Sequence, residues 1–446
     1  MSSSRPSLGT FYTLVTTQTL SLIGSRMTTI GVGVWVFAQT GLTSPLLLAA
    51  LFNELPGMLF GSLAGVYVDR WDRRRVLLLA DLGQALGSFL LLLSFLFERF
   101  QLWHLYAIAL LGGSFATLQN PAEEAVTTLL VPENRRERMN GVQQMAFPLA
   151  GVFAPALTGA VYPWLGVAGI IAIDLLTFLV AVIALWLVSI PQPAPSEAGQ
   201  ASRGSLLGEW LAGLRFLARR RGLLYFILYL ALINFLLNGP LELAIPYLLR
   251  VTGSEAQMGG LMGVMSLGAL SGAALIAAWG GTRPRMLTIL PGLFFCGTMF
   301  LLYGTQRMPL LLGASLFLLT LPLPVMGALY LAIMQLKAPP DLQGRLFALV
   351  SQLGFIASTS SFFLTGLLVD RWLERAVGTP GWRRVAWLVG DEPGAGMGLL
   401  LVVVGLVIII ATIAAWLNPQ VRNLEALLPD YPAASSSLLT EGQGNT

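Results

Sequence analysis

Residues Leu399–Ile413 read LLLVVVGLVIIIATI, an apolar run in which the only polar side chain is one threonine. Strands of a membrane barrel alternate apolar and polar residues, whereas a helix that crosses a bilayer needs about 20 mostly apolar residues. Helices and closed barrels are the structures that satisfy their own backbone hydrogen bonds in lipid. The continuous run, extended to residues 396–417, therefore predicts a transmembrane helix.

Eleven further stretches have the same character. With the first they predict twelve spans, numbered in chain order: 11–38, 45–68, 76–97, 102–127, 142–165, 167–190, 223–249, 257–280, 286–305, 309–335, 346–370 and 396–417. The composition agrees, because 55% of the 446 residues are hydrophobic and 11% are charged, against about 25% charged in a soluble domain. We expect an all-α polytopic membrane protein.

The middle of the chain separates two sets of six spans. Residues 191–205 read PQPAPSEAGQASRGS, which is typical of a linker, and residues 206–221 have apolar side chains at the spacing of an amphipathic helix. We therefore predict two six-helix bundles, a cytoplasmic linker and a tail. Their bounds are 1–190 and 223–418 for the bundles, 191–222 for the linker with its helix, and 419–446 for the tail.

The two sets of spans echo each other. Three features that follow span four recur after span ten at an offset of 207 residues: Pro132 and Pro339, Arg138 and Arg345, and Leu157-Thr158-Gly159 and Leu364-Thr365-Gly366. Many secondary transporters are built from duplicated halves around a central path. The repeat therefore predicts two pseudo-symmetric bundles.

Basic residues predict the orientation. If the N-terminus lies inside, most of the 26 Lys and Arg residues fall in cytoplasmic segments. The positive-inside rule then predicts that both termini are cytoplasmic. We expect the protein in the inner (plasma) membrane of the cell. The densest clusters are residues 73–75, 135–138 and 219–221, and such clusters attract anionic membrane lipid. Because the basic residues are dispersed along the inner face, we expect no nucleic-acid partner.

The scarcity of reactive side chains argues against an enzyme. The chain has one Lys (Lys337), one His (His104) and one Cys (Cys296). Lys337 lies outside any Gly-Lys-Ser/Thr sequence, so there is no P-loop, and one His with one Cys cannot make a usual zinc site. We expect no catalysis, no metal and no cofactor.

The segment between spans two and three, residues 65–75, reads GVYVDRWDRRR. It resembles the G-x-x-x-D-R-x-G-R-R loop of the major facilitator superfamily, except that Asp72 replaces the second glycine. The matching residues are Gly65, Asp69, Arg70, Arg73 and Arg74. Residues 120–122, 130–132, 213–217 and 344–348 are similar to segments of the drug:proton antiporter branch that holds macrolide and enterobactin exporters.

This resemblance implies a transporter that works by alternating access and exports a small hydrophobic or amphipathic compound in exchange for protons. It also implies that Asp69 contacts a neighbouring helix end and the nearby arginines, latching one conformation. The other interpretation of the loop is that its charges only fix topology. Alternatives for the whole chain are a lipid or siderophore carrier and a receptor of the same fold that does not transport. No feature indicates an oligomer, so we expect a monomer.

Ionisable residues inside spans need an explanation, because each costs about 2.5–3.5 kcal/mol by insertion scales. Arg26 in span one and Glu54 in span two lie at similar predicted depths, so they are expected to pair. Glu54 would then be a proton acceptor with Arg26 as its partner or as a contact for an anionic substrate. The alternative is a structural ion pair that fixes helix packing.

Span seven carries Asn234, Asn238 and Glu242, which are four residues apart and predict one polar stripe that lines a cavity or bonds to other helices. Asp174 in span six is a further candidate for coupling, with a buried hydrogen-bonding role as the alternative. A third group lies near the inner ends of spans three and four, at the depth of the loop arginines, and is expected to join their charge network: Asp81, Glu123 and Glu124.

Overall fold

The computed structural model describes residues 8–130, 145–188, 220–337 and 343–428. Within these ranges, the side chains of residues 8, 62–63, 65–70, 124–125, 127–129, 335 and 343–348 are not described. The main helices are Leu8–Thr40, Ser44–Arg70, Arg73–Leu96, Leu102–Leu130, Ala146–Leu187, Arg221–Glu242, Ala244–Thr252, Glu255–Trp279, Met286–Thr305, Pro309–Thr320, Pro322–Lys337, Gln343–Leu368 and Ala395–Leu417. A π-helical turn, Val369–Leu373, extends span eleven, and four short helices follow at Glu374–Ala376, Arg383–Val389, Pro419–Arg422 and Leu424–Leu427.

Helices of the structure match the twelve predicted spans. Ten helical segments of the described chain are long and apolar enough to span a membrane. One of them, Ala146–Leu187, has 42 residues and would be about 63 Å long if straight, twice what a bilayer core requires. Its backbone leaves the helical region at Gly166, with φ 63° and ψ −170°, and this bend separates spans five and six. Span four is Leu102–Leu130.

Prolines break two of the spans. Span seven contains Pro240 and Pro246, and its helix ends at Glu242 and restarts at Ala244. Span ten is divided in the same way, because a second helix begins at Pro322. A proline lacks the N–H that the helix ladder needs, so the chain can change direction there.

The two sets of six spans meet along two helix pairs. Span two packs against span eleven, and span five packs against span eight. In a duplicated fold, spans two and five of the first half correspond to spans eight and eleven of the second. The two pairs are therefore related by the approximate symmetry that the repeat predicts.

Large apolar side chains cover the outside of the helices. Trp186, Leu310 and Ile410 are exposed by 69%, 82% and 57%. A water-soluble monomer rarely exposes such continuous apolar surface, whereas a membrane protein presents it to lipid. The outward face of the bundles is thus the lipid-facing surface.

The start of the predicted tail packs against the second bundle. Glu425 accepts hydrogen bonds from Arg285 Nη1 at 2.9 Å and from the Met286 amide at 3.2 Å. Lys337, with 2% of its surface exposed, donates from Nζ to the carbonyls of Glu425 and Leu428, both at 2.6 Å. Residues 419–428 therefore belong structurally to the second bundle.

Several sequence features lie outside the described residues. They are the linker and amphipathic helix up to residue 219, the basic cluster 135–138, the repeat residues Pro132, Arg138 and Pro339, and the tail beyond residue 428.

Candidate functional site

We name the two membrane faces by the predicted orientation, so that spans one and eleven end at the outer face. Glu54, half-buried on span two, faces span eleven of the other half. Its carboxylate accepts a short hydrogen bond from the hydroxyl of Ser358, a buried residue of span eleven. Glu54 therefore lies on the seam between the halves, at the middle of a span.

Arg26 does not form the predicted ion pair with Glu54. Arg26 forms none of the described salt bridges, and its guanidinium interacts electrostatically with Glu242 of span seven, which also interacts electrostatically with Glu54. The guanidinium carbon lies 5.2 Å from the centre of the Phe147 ring of span five. Similar depth did not predict the partner, because span seven approaches span one across the seam and supplies an alternative carboxylate.

One guanidinium and two carboxylates are thus electrostatic neighbours, and the residues around them come from five spans. Arg26, Glu54 and Glu242 come from spans one, two and seven, while Phe147 and Ser358 come from spans five and eleven. The Glu242 side chain is exposed. The group is electrically neutral when one carboxyl carries a proton, so it suits a site that binds and releases one proton.

The predicted stripe on span seven is present. The Asn238 side-chain amide donates to the Asn234 carbonyl at 2.8 Å, and both side chains lie on the helix face that ends at Glu242. Asn234 also lines a cavity of about 250 Å³ within the second half. Other lining residues are Ile227, Ile233, Met326, Tyr330 and Leu353. The cavity combines an apolar wall with a few polar atoms, which is typical of a small-molecule site.

Two buried carboxylates lie inside the first bundle, away from the seam. Asp174, a predicted coupling residue, accepts hydrogen bonds from the hydroxyls of Ser25 and Ser88. Asp81 accepts hydrogen bonds from the side-chain amides of Gln18 at 2.9 Å and Gln119 at 3.0 Å. These two neutral amides reach its carboxylate from spans one and four, and the prediction that Asp81 joins the loop arginines stays a prediction.

The inner loop is described only in part. Arg74 donates from Nε to the Leu185 carbonyl at 3.1 Å and from Nη2 to the Trp186 carbonyl, and so caps the end of span six. Arg73 and Glu123 are half-buried. The remaining latch residues and Glu124 have side chains outside the described set: Gly65, Asp69 and Arg70. The predicted latch role of Asp69 stays a prediction.

A cluster that sequence reasoning missed joins the halves at the outer face. Asp370, at the end of span eleven, accepts hydrogen bonds from the Thr43 amide at 2.9 Å, the Thr43 hydroxyl at 2.9 Å and the Ser44 amide at 2.6 Å. Its carboxylate therefore caps the N-terminus of span two, where a helix favours an anion. Arg250 of the second half forms a salt bridge with Glu374 and donates to the Gly41 carbonyl at 2.6 Å.

A sequence signal for this cluster was available. Val68-Asp69-Arg70-Trp71 at the inner end of span two recurs as Val369-Asp370-Arg371-Trp372 at the outer end of span eleven. A comparison of equivalent spans at the 207-residue offset does not find this repeat. Span two corresponds to span eight in the duplication, and not to span eleven. Spans two and eleven are antiparallel partners, so the same four residues stand at opposite faces of one helix pair.

The repeated Leu-Thr-Gly segments also lie on the seam. A Cβ added to Gly366 would come within 3.0 Å of Ser44 Cα on span two. A Cβ added to Gly159 would come within 3.0 Å of the Glu255 carbonyl oxygen on span eight. Each half thus contributes one glycine that lets a helix of the other half approach closely.

Comparison with known proteins is consistent with this geometry. The family model described as Major Facilitator Superfamily matches residues 14–362. This chain belongs to the Major Facilitator Superfamily. The resemblance read from the residues of the inner loop is therefore confirmed, and with it a membrane transporter.

Members of the superfamily related to this chain include exporters. It is 27% identical to macrolide efflux protein A of Streptococcus pyogenes over 366 residues, which cover 81% of this chain and 89% of that protein. It is 27% identical to the enterobactin exporter EntS of Shigella flexneri over 412 residues, which cover 89% and 87%.

The fold of this superfamily member matches solved transporters. A bacterial homologue of the human lysosomal transporter Spinster, in an inward-facing and unoccupied conformation, superimposes with a TM-score of 0.69 over 91% of this chain and 95% of that one. The identity is 16%, so this likeness concerns the fold alone.

Proposed function

We propose that this transporter exports a small hydrophobic or amphipathic compound in exchange for protons. The observation that carries the proposal is the charged group near the seam, where Glu242 interacts electrostatically with both Arg26 and Glu54. A coupling residue must respond to movement of the two halves. Glu54 does so by position, because its hydrogen-bond partner Ser358 belongs to the other half.

The exchange follows from charge balance. A group with two carboxylates and one guanidinium carries one uncompensated negative charge, which is costly within a membrane. A proton or a cationic group on the substrate can neutralise it, and the two then compete for the same carboxylates. Competition of this kind makes binding of one favour release of the other, which is the requirement for exchange.

The contacts at the outer face fit one state of an alternating-access cycle. The outer ends of spans two and eleven are held together by Asp370 and its donors, so the path is closed toward that face. Opening that face requires those contacts to break and the seam to separate. The efflux relatives support export as the direction of transport.

The test uses inside-out membrane vesicles that contain the full chain. With a proton gradient established, we expect addition of a transported compound to dissipate it, and the panel comprises macrolides, cationic dyes, siderophores and lysolipids. Glu54→Gln should abolish the response, while Glu98→Gln, a change at an exposed turn, should leave it intact. A response that survives Glu54→Gln would remove Glu54 from the proton path.

The panel also separates the alternatives. A response to siderophores or lysolipids, with none to macrolides or dyes, would support a siderophore or lipid carrier. Binding of a compound without any proton movement would support a receptor that does not transport.

A further inference from the structure

An apolar groove runs between spans three and six on the outside of the first bundle. It has a volume of about 650 Å³, and its wall includes Leu82, Leu86 and Phe89 of span three and Leu176 and Leu179 of span six. These five side chains are exposed by 47–62%. The groove therefore opens toward the surrounding lipid and away from the seam.

The equivalent helices of the second half, spans nine and twelve, pack more closely. A Cβ added to Gly297 or Gly304 of span nine would lie within 2.9 Å of a carbonyl oxygen of span twelve. In span three, Gly83 instead faces span four, where a Cβ would lie 2.2 Å from the Phe115 ring. The open groove therefore arises from the side chains of spans three and six and is not imposed by the duplicated fold.

A cationic and an aromatic side chain stand at the inner end of the groove. Arg75, with 86% of its side chain exposed, lies on the groove face of span three, which is formed by residues 75, 79, 82, 86 and 89. Trp186, 69% exposed, lies seven residues beyond Leu179 on the groove face of span six. Arg74 donates to the Trp186 carbonyl, so these two helix ends are joined.

This end of the groove carries excess positive charge. Residues 72–75 comprise one aspartate and three arginines. Asp72 accepts a hydrogen bond from the Arg75 amide at 3.2 Å, and its other carboxylate oxygen lies 4.0 Å from Arg75 Nε. At the outer end of span three, Glu98 and Arg99 balance each other. An anionic group is therefore favoured at the inner end.

We propose that an anionic phospholipid of the inner leaflet binds here, with its phosphate at Arg75 and Trp186 and an acyl chain in the groove. The cytoplasmic leaflet is the anionic one, and tryptophan favours the level of the headgroups. From Leu82 to Leu92 the groove follows span three for about 15 Å, half the thickness of the hydrocarbon core. Leu79, 47% exposed, continues the apolar face from the groove to Arg75.

The test measures thermal unfolding of the purified full chain in neutral detergent as dioleoyl phosphatidylglycerol or dioleoyl phosphatidylcholine is added. We expect the midpoint to rise and to saturate, because a ligand that binds the folded state stabilises it by mass action. Phosphatidylcholine has the same chains but no net charge. Half-saturation should therefore require about fivefold more of it, the equivalent of about 1 kcal/mol from one basic residue at a membrane surface.

Two substitutions separate the charge from the rest of span three. Arg75→Gln should remove the difference between the two lipids. Arg99→Gln, which changes an exposed arginine at the other end of the same helix, should retain it. A preference for phosphatidylglycerol that survives Arg75→Gln would overturn the proposal.

A second pair of substitutions tests the groove itself. Leu86→Trp fills the groove from a position that is 51% exposed and should abolish the saturable rise with both lipids. Ile410→Trp, at a lipid-facing position of span twelve that is 57% exposed, should leave both titrations unchanged. An unchanged response in Leu86→Trp would also overturn the proposal. The assay involves no transport, so its failure is distinguishable from failure of the proposed export.

Discussion

Asp370 is predicted to hold the outer face closed. Its carboxylate receives two backbone amides and one hydroxyl from Thr43 and Ser44, the residues at the start of span two. Asp370→Asn preserves size and one carbonyl oxygen. It removes the charge and turns an NH₂ group toward an amide that must donate. The substitution should therefore weaken closure without disturbing the fold.

The magnitude follows from the bonds that change. Hydrogen bonds to charged groups contribute about 1.5–3 kcal/mol, and neutral ones about 0.5–1.5 kcal/mol, so each weakened bond loses about 1 kcal/mol. The charge at a helix N-terminus contributes a further 0.3–1 kcal/mol, roughly. Because Asp370 is half-buried, we expect a total of about 2 kcal/mol, which changes the ratio of closed to open outer face about thirty-fold.

The assay is a distance measurement across the outer face. Spin labels on Gln39→Cys of span one and Arg375→Cys beyond span eleven, both exposed positions, report the separation of the halves by pulsed electron resonance. The buried Cys296 is replaced by serine. In Asp370→Asn, the population at longer distance should increase at the expense of the shorter one.

A matched control separates the contact from the loss of outer charge. Asp391→Asn removes one exposed carboxylate on the same face and should leave the distances unchanged. Unaltered distances in Asp370→Asn, or equal changes in both variants, would refute the reasoning that Asp370 joins the halves through the end of span two.

Three further changes test the seam, the docked tail and the cavity. Gly366→Val places atoms against the backbone of span two, and transport should fall about tenfold, whereas Gly260→Val, with open space around it, should change transport less than about twofold. Lys337→Met removes two hydrogen bonds to the C-terminal segment and should weaken its docking by about 2 kcal/mol, so limited proteolysis of that segment should become faster. The exposed change Arg422→Met should leave the rate of proteolysis unchanged. Gly354→Leu projects into the cavity of about 250 Å³ and should weaken binding of a transported dye; unchanged affinity would place the dye elsewhere.

Much of the site could be identified residue by residue from the sequence, but its contacts could not. Arg26, Glu54 and Glu242 stood out because charges inside apolar runs are rare. Depth along a helix can be counted from its ends, and it suggested that Arg26 and Glu54 pair. The sequence does not show which neighbouring helix a side chain faces, because that depends on how the helices pack. In the packed structure, Arg26 interacts electrostatically with Glu242, and Ser358 donates a hydrogen bond to Glu54.

The sequence by itself determined the membrane class and the twelve spans, because the length of an apolar run relative to the bilayer is a local property. It also determined the family, because the inner loop concentrates its motif in eleven consecutive residues, 65–75. The tertiary structure alone decided that Asp370 caps span two, that amides of two other spans donate to Asp81, and that hydroxyls of two other spans donate to Asp174. These contacts join residues far apart in the chain, and their partners are fixed only when helices pack with one particular rotation against each other.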